Sequence, residues 1–257
     1  MSKKFARSSM YFDLIETCRE PGCPVCRLGL RAARRYIDFV LYERVNDPDT
    51  RAELCAARGY CNRHAWMMAD RNVRSLSVAM LEGVVIREVL EVLAGAGYDR
   101  GALAVLADDG HRGVAPALQR LLQGRLEFRE PSPLAAQLAG LLEAQVACPI
   151  CDQQATTEES ALAALLNDLG DEALVQTFQA SDGLCLPHFR QALAQGGEDA
   201  AITRLVDLQR AHFERLRAEL SEFIHKTAYH VTAERLGVER DSWLRAIGAL
   251  SGQRGAR

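Results

Sequence analysis

The chain has 257 residues, of which 48% are hydrophobic, 25% charged and 6% aromatic. That is enough apolar material for a large core without disulfide help, and too much for a disordered chain. A net charge of −3 lacks the basic excess of a dedicated DNA binder, so nucleic acid is not an expected partner.

Taken from the N-terminus, Lys3 and Lys4 are followed by no apolar stretch of the kind a secretory leader needs. No run of about 18 apolar residues exists either, so the protein is expected to be cytoplasmic and not to cross a membrane. Tyr11, Phe12, Leu14 and Ile15, ahead of Glu20-Pro21-Gly22, predict a short amphipathic helix ended by a breaker. From Leu28 to Arg44 only Gly29 interrupts a helical pattern carrying Leu30, Ala33, Tyr36, Ile37, Val40 and Leu41. Asn46-Asp47-Pro48-Asp49 predicts a turn and a cap for a helix to about Ala57, with Gly59 as its C-terminal cap. A helix then starts at His64. The next, Asn72 to Leu93, is apolar on most of its surface and is expected to be central and largely buried.

Residues 95–114 and Gly124 to Pro133 are breaker-rich, with Leu118, Leu121 and Leu122 marking a short helix between them. Beyond them, helices are predicted over Thr156–Leu169, Glu172–Ala180, Cys185–Ala194 and 199–228. The last carries a stripe that includes Ile202, Leu205, Val206, Phe213, Leu216 and Phe223. Glu239 to Leu250 reads as a final amphipathic helix with Trp243, Leu244, Ile247 and Leu250 in its apolar face, and the tail from Ser251 is expected to fray. No alternating strand pattern occurs. The expected fold is all-α, a helical bundle built from two pseudo-repeated metal-binding modules. The expected division is a first module at 1–95, a linker at 96–133, a second module at 134–228, and a C-terminal helix and tail at 229–257.

The modules are read from the cysteines. Cys23-Pro24-Val25-Cys26 recurs as Cys148-Pro149-Ile150-Cys151, both cysteines 125 residues further on. Gly59-Tyr60-Cys61-Asn62-Arg63-His64 recurs as Gly183-Leu184-Cys185-Leu186-Pro187-His188, with cysteine and histidine 124 residues further on. Four ligand-type residues repeated at nearly one offset point to a duplicated unit. Each unit supplies three cysteines and one histidine, a standard tetrahedral set for zinc. The expected sites are therefore Cys23, Cys26, Cys61 and His64, and Cys148, Cys151, Cys185 and His188, with two zinc ions per chain. An iron–sulfur cluster is the less favoured occupant, because histidine is its less usual ligand. Cys18 and Cys55 correspond to Glu143 and Gln179 in the second unit, so both are read as partly buried non-ligands.

Two closed Cys₃His sites leave no open coordination position, which catalytic zinc requires. The chain thus reads as a non-enzymatic, zinc-stabilised scaffold or regulator for a protein partner. The rival is a thiol–disulfide redox protein using the CPxC pairs, although such motifs ordinarily follow a strand. His111, His212, His225 and His230 fall outside the repeat; His212 and His225, on a helix beside apolar residues, read as satisfied or surface histidines, and Asp108-Asp109-Gly110-His111 as a solvated loop. Arg31, Arg34 and Arg35, and Arg210, Arg215 and Arg217, form basic strips that are either solvated or bind an acidic partner or RNA.

The order CPxC, helices, GxCxxH, then CPIC and GLCxxHF resembles an uncharacterised bacterial family of helical proteins. Tyr11-Phe12-Asp13 and the Ser242-Trp243 segment fit the same resemblance. One departure is Ala65-Trp66 after the first histidine, where Phe189 follows the second. The resemblance implies a domain of unknown function. It supports the repeated module and adds little about activity.

Overall fold

The computed structural model describes residues 8–70, 75–95, 133–227 and 236–256. Among these residues every regular element is helical. The first half contains α1 (Ser9–Cys18), α2 (Pro24–Phe39), continued by a π-helical turn at Val40–Arg44, α3 (Pro48–Ala56), α4 (Asn62–Ala69) and α5 (Ser75–Gly95). The second contains α6 (Pro133–Leu142), α7 (Pro149–Asp168), α8 (Glu172–Ala180), α9 (Leu186–Gln195) and α10 (Asp199–Thr227). A 3-10 turn (Val238–Asp241) and α11 (Ser242–Ser251) follow. The short helix expected near Leu118, and His111 and His230, lie outside the described residues.

Local chemistry accounts for the boundaries. Ser8 caps α1, and Asp47 caps α3 by accepting from the Thr50 N–H at 2.9 Å. Asp171 caps α8 in the same way through the Leu174 N–H. The end of α3 is a Schellman turn: the Gly59 N–H reaches the Leu54 carbonyl and the Arg58 N–H that of Cys55. The residue at its left-handed position is Arg58, with φ 54°, so Gly59 sits one place beyond the expected cap.

α2 and α7 pack most extensively against each other and form the spine. The N-terminal half of α2 joins a core with Tyr11 and Leu14 of α1, Leu162 and Leu165 of α7, and Phe178 of α8. Its C-terminal half contributes Ala33 and Ile37, and the π-helical turn Val40, to a second, smaller core with Leu54, Met68, Leu81 and Val85.

One expectation about burial is corrected. In α5 only Leu81 and Val85 are buried, while Leu76, Ile86 and Leu90 are at least 60% exposed. A rim helix can bury only the stripe that meets its neighbours, however apolar the rest. The buried face of α10 is Leu205 with two polar residues, Gln209 and His212. In α11 the stripe of Trp243, Leu244, Ile247 and Leu250 is exposed.

The tail after α11 does not fray over its described length. Ala256 is buried, and its carbonyl accepts from Gln154 Nε2 at 2.5 Å. Gln253 donates to the Pro21 carbonyl at 3.1 Å. These polar anchors hold a segment that apolar content alone would not have fixed.

Candidate metal centres

All four ligand pairs are built the same way. Cys23, Cys61, Cys148 and Cys185 are each the N-cap of a helix, so the second ligand of each pair falls in its first turn. Pro24 and Pro149 stand at the first helical position, where the missing N–H costs nothing. Left-handed glycines aim three of the pairs: Gly22 (φ 87°) before Cys23, Gly59 (φ 94°) before Cys61 and Gly183 (φ 71°) before Cys185. None of the four cysteines makes a side-chain cap hydrogen bond. Each cluster therefore receives the partial positive charge of two helix N-termini, which favours thiolate.

The structure brings together all eight repeat residues, but not in the expected combination. One cluster, called here the inner centre, is Cys23, Cys26, Cys185 and His188; the outer centre is Cys61, His64, Cys148 and Cys151. Each CPxC pair meets the CxxH pair of the other half. The spine of α2 against α7 explains the exchange: it carries each CPxC turn across to the other half's CxxH helix.

In the inner centre the His188 Nδ1 lies 3.5, 3.3 and 3.2 Å from the sulfurs of Cys23, Cys26 and Cys185, and the Cys26 and Cys185 sulfurs are 3.6 Å apart. In the outer centre the His64 Nδ1 lies 3.3, 3.7 and 3.4 Å from Cys61, Cys148 and Cys151, and Cys61 to Cys151 is 3.6 Å. A tetrahedral ion at ordinary zinc bond lengths has edges of about 3.8 Å between sulfurs and about 3.5 Å from sulfur to nitrogen. The three sulfur–nitrogen distances and the sulfur–sulfur distance given for each cluster match those edges, and sulfurs 3.6 Å apart are far beyond disulfide bonding distance. Cys18 and Cys55 join neither cluster; all eight cysteines are free thiols.

Burial pushes the Cys23 thiol up, and the sulfurs of Cys185 and Cys26 add to it. Cys185 is held well below the usual thiol range by hydrogen bonds from the Cys23 and Cys26 thiols, against its burial. Burial alone would lower His188, but Cys185, Cys26 and Glu158 lift it to about 11. In the outer centre burial pushes Cys151 to about 12, with Cys61 and Cys148 crowding it. Cys61 ends below its ordinary value despite burial, held by the His64 backbone N–H and by the Cys151 and Cys148 thiols. His64 is lowered by burial and by Arg63. Cys185 and Cys61 are thus the sulfurs whose surroundings favour the thiolate. Cysteine binds a divalent ion as thiolate, so metal binding should release protons.

Residues beyond the motif complete the sites. Gln154 and Glu158 contact the far nitrogens of the two histidines, Arg63 lies 3.8 Å from the Cys151 sulfur, and Gly252 packs against the Cys26 and Cys185 sulfurs. Sequence reasoning missed all four. Gln154 and Glu158 carried a readable signal, being polar residues at the helical positions that lead into the Ala161, Leu162 and Leu165 core face. His212 is buried and contributes to neither cluster.

These features define an all-helical protein with two Cys₃His clusters that could each hold a metal ion. The chain belongs to a family of unknown function, DUF6062, whose model matches residues 13–256. No curated protein and no solved structure matches it. No helix among the described residues is long and apolar enough to cross a membrane.

Proposed function

We propose that this chain is a non-enzymatic helical scaffold, clasped by two zinc ions and built from a duplicated unit, that holds an acidic protein partner. The observation that carries the zinc reading is the tetrahedral edge length of both clusters. Bridged iron clusters would splay the four ligands further apart, and a working dithiol pair would not share its sulfurs with a cysteine and a histidine from a distant helix. Four protein ligands per ion leave no open position for a substrate. Eight free thiols fit a reducing, cytoplasmic setting.

The partner surface in this reading is a groove of about 940 Å³ between α2, α10, α11 and the tail. Phe213, Leu216, Leu244 and Ile247 form an apolar wall. Arg34 and Arg254 stand on its rim, and neither pairs with a carboxylate among the described residues. An acidic amphipathic helix suits that combination of apolar wall and unpaired cations.

Elemental analysis of purified protein should find about two zinc ions per chain in a colourless sample, without insulin-type disulfide reductase activity. Bound iron with visible absorbance, or reductase activity, would overturn the zinc-scaffold reading. For the groove, a designed acidic amphipathic peptide should bind with anisotropy that weakens about tenfold when Arg34→Glu and Arg254→Glu are combined. Unchanged binding would remove the groove as the partner surface.

A further inference from the structure

Both ligating histidines lean on one helix face. Gln154 and Glu158 are one turn apart on α7, and both are buried. The His64 Nε2 lies 3.2 Å from Gln154 Oε1 in the outer centre. The His188 Nε2 lies 3.2 Å from Glu158 Oε2 in the inner centre, a close but angled contact. Between them Gln154 Nε2 donates to Glu158 Oε1 at 2.7 Å. The result is a buried chain of polar groups from one centre to the other: His64, Gln154, Glu158, His188.

The orientation of that chain is fixed at several points. Arg63 donates to Gln154 Oε1 at 3.3 Å, while Gln154 Nε2 also donates to the Ala256 carbonyl. The amide cannot flip without facing a donor with a donor and a carbonyl with a carbonyl. Its oxygen therefore stays toward His64. An acceptor at Nε2 keeps the imidazole proton there and leaves the Nδ1 lone pair for the metal. Glu158 stands at the same place beside His188, its carboxylate 3.2 Å from Nε2, with a full charge in place of an amide dipole.

The repeat is broken at this point, and the break identifies the role. The positions matching Gln154 and Glu158 in the first half, 125 residues earlier, are Gly29 and Ala33 on α2. A Cβ on Gly29 would stand 2.4 Å from Glu158 Oε1 and 3.0 Å from Gln154 Cγ. So α2 gives up its own side chains, and α7 reaches through that space to serve both centres. This also accounts for the one glycine inside the α2 pattern.

We propose that Gln154 and Glu158 are positioning residues for both metal centres. They preset each histidine as an Nδ1 ligand, and the carboxylate makes the inner centre the tighter one. The proposal rests on the reading of the clusters as zinc sites. Partners of this kind are ordinarily worth a factor of 10–100 in metal affinity.

The test is chelator competition on the full chain, reading the two sites separately, with long-range proton–nitrogen spectra of the histidine side chains. Wild type should show Nδ1 ligation and an Nε2 proton on His64 and His188. Glu158→Gln should weaken the inner centre about tenfold and leave the outer within twofold, and Glu158→Leu should weaken it further. Gln154→Met should weaken the outer centre about tenfold and blur the His64 Nε2 proton signal. Glu158→Gln preserves size and one acceptor oxygen, so it tests the idea even if a bulkier change disrupts folding. Affinities within twofold of wild type in both Glu158→Gln and Gln154→Met, or ligation through Nε2, would overturn the proposal while two zinc ions remain bound. Wild-type protein lacking zinc would instead overturn the metal reading itself.

Discussion

The two centres share ligands, helix-cap geometry and edge lengths, yet they sit in different surroundings. All four inner ligands are buried, whereas the three outer cysteines are half-buried. The inner centre has the tail laid over it at Gly252 and a carboxylate behind its histidine; the outer has an amide and the Arg63 guanidinium. The preceding helices differ in the same sense. α1 and α6 are both ten residues long, but α1 buries Tyr11, Leu14, Thr17 and Cys18, and α6 buries none of its residues. Identical ligand geometry can therefore serve two purposes, one as part of the core and one near its surface.

The largest expected difference is in stability. Cys26→Ser should lose one ion and lower the melting temperature by about 10 °C, a loss on the order of 4 kcal/mol. Cys61→Ser should also lose one ion, with a drop about half as large. Thermal melting with metal analysis reads both, and equal drops would erase the distinction between inner and outer.

The paired glycines sharpen it. At Gly183 a Cβ would stand 2.5 Å from the His212 ring at a left-handed φ, whereas at Gly59 the nearest atom is Val85 at 4.0 Å. Gly183→Ala should cost about 3 kcal/mol from strain plus overlap, and Gly59→Ala about 1 kcal/mol from strain alone. Denaturant unfolding would give the order, and a reversed order would contradict the packing described.

His212 packs on the inner side only. Burial, followed by the Arg215 charge, pushes its pKa down to about 4. A histidine depressed in the folded state stays neutral where the unfolded chain takes up a proton, so its effect is to lower stability as pH falls from about 6.5 toward 4. Wild type should lose about 1–2 kcal/mol more between pH 7 and 5 than His212→Asn does. Parallel pH profiles of the two proteins would remove this asymmetry.

In kinetics, on the proposed zinc reading, a colorimetric chelator should remove the metal in two phases, the outer ion leaving roughly tenfold faster than the inner. One phase accounting for both ions would mean that exposure and the carboxylate make no difference.

The sequence allowed the helices, the eight ligand-type residues and the turn chemistry at Asp47 to be read, because caps, breakers and the doubled motif are local signals. The pairing of the motifs was not legible. Spacing of 35 and 34 residues fits a site closed within a half as well as one closed across halves, and only the packing of α2 on α7 decides between them. Apolar content misled at α5, where composition was read as burial. The anchoring of Ala256 depends on an amide about a hundred residues away, beyond any local pattern.

The exchange of partners also dictates an order of assembly during synthesis. Ligands at 61–64 and 148–151 are nested inside those at 23–26 and 185–188. A chain emerging from the ribosome completes the outer set first and the inner set only after His188. Closing the outer set shortens the loop left for the inner one from 159 residues, between Cys26 and Cys185, to about 70. That lowers the entropic cost of the second closure by about 0.7 kcal/mol. The more exposed set is thus the first to be complete, the buried set follows with His188, and the tail can cover it only once translation has passed Gly252.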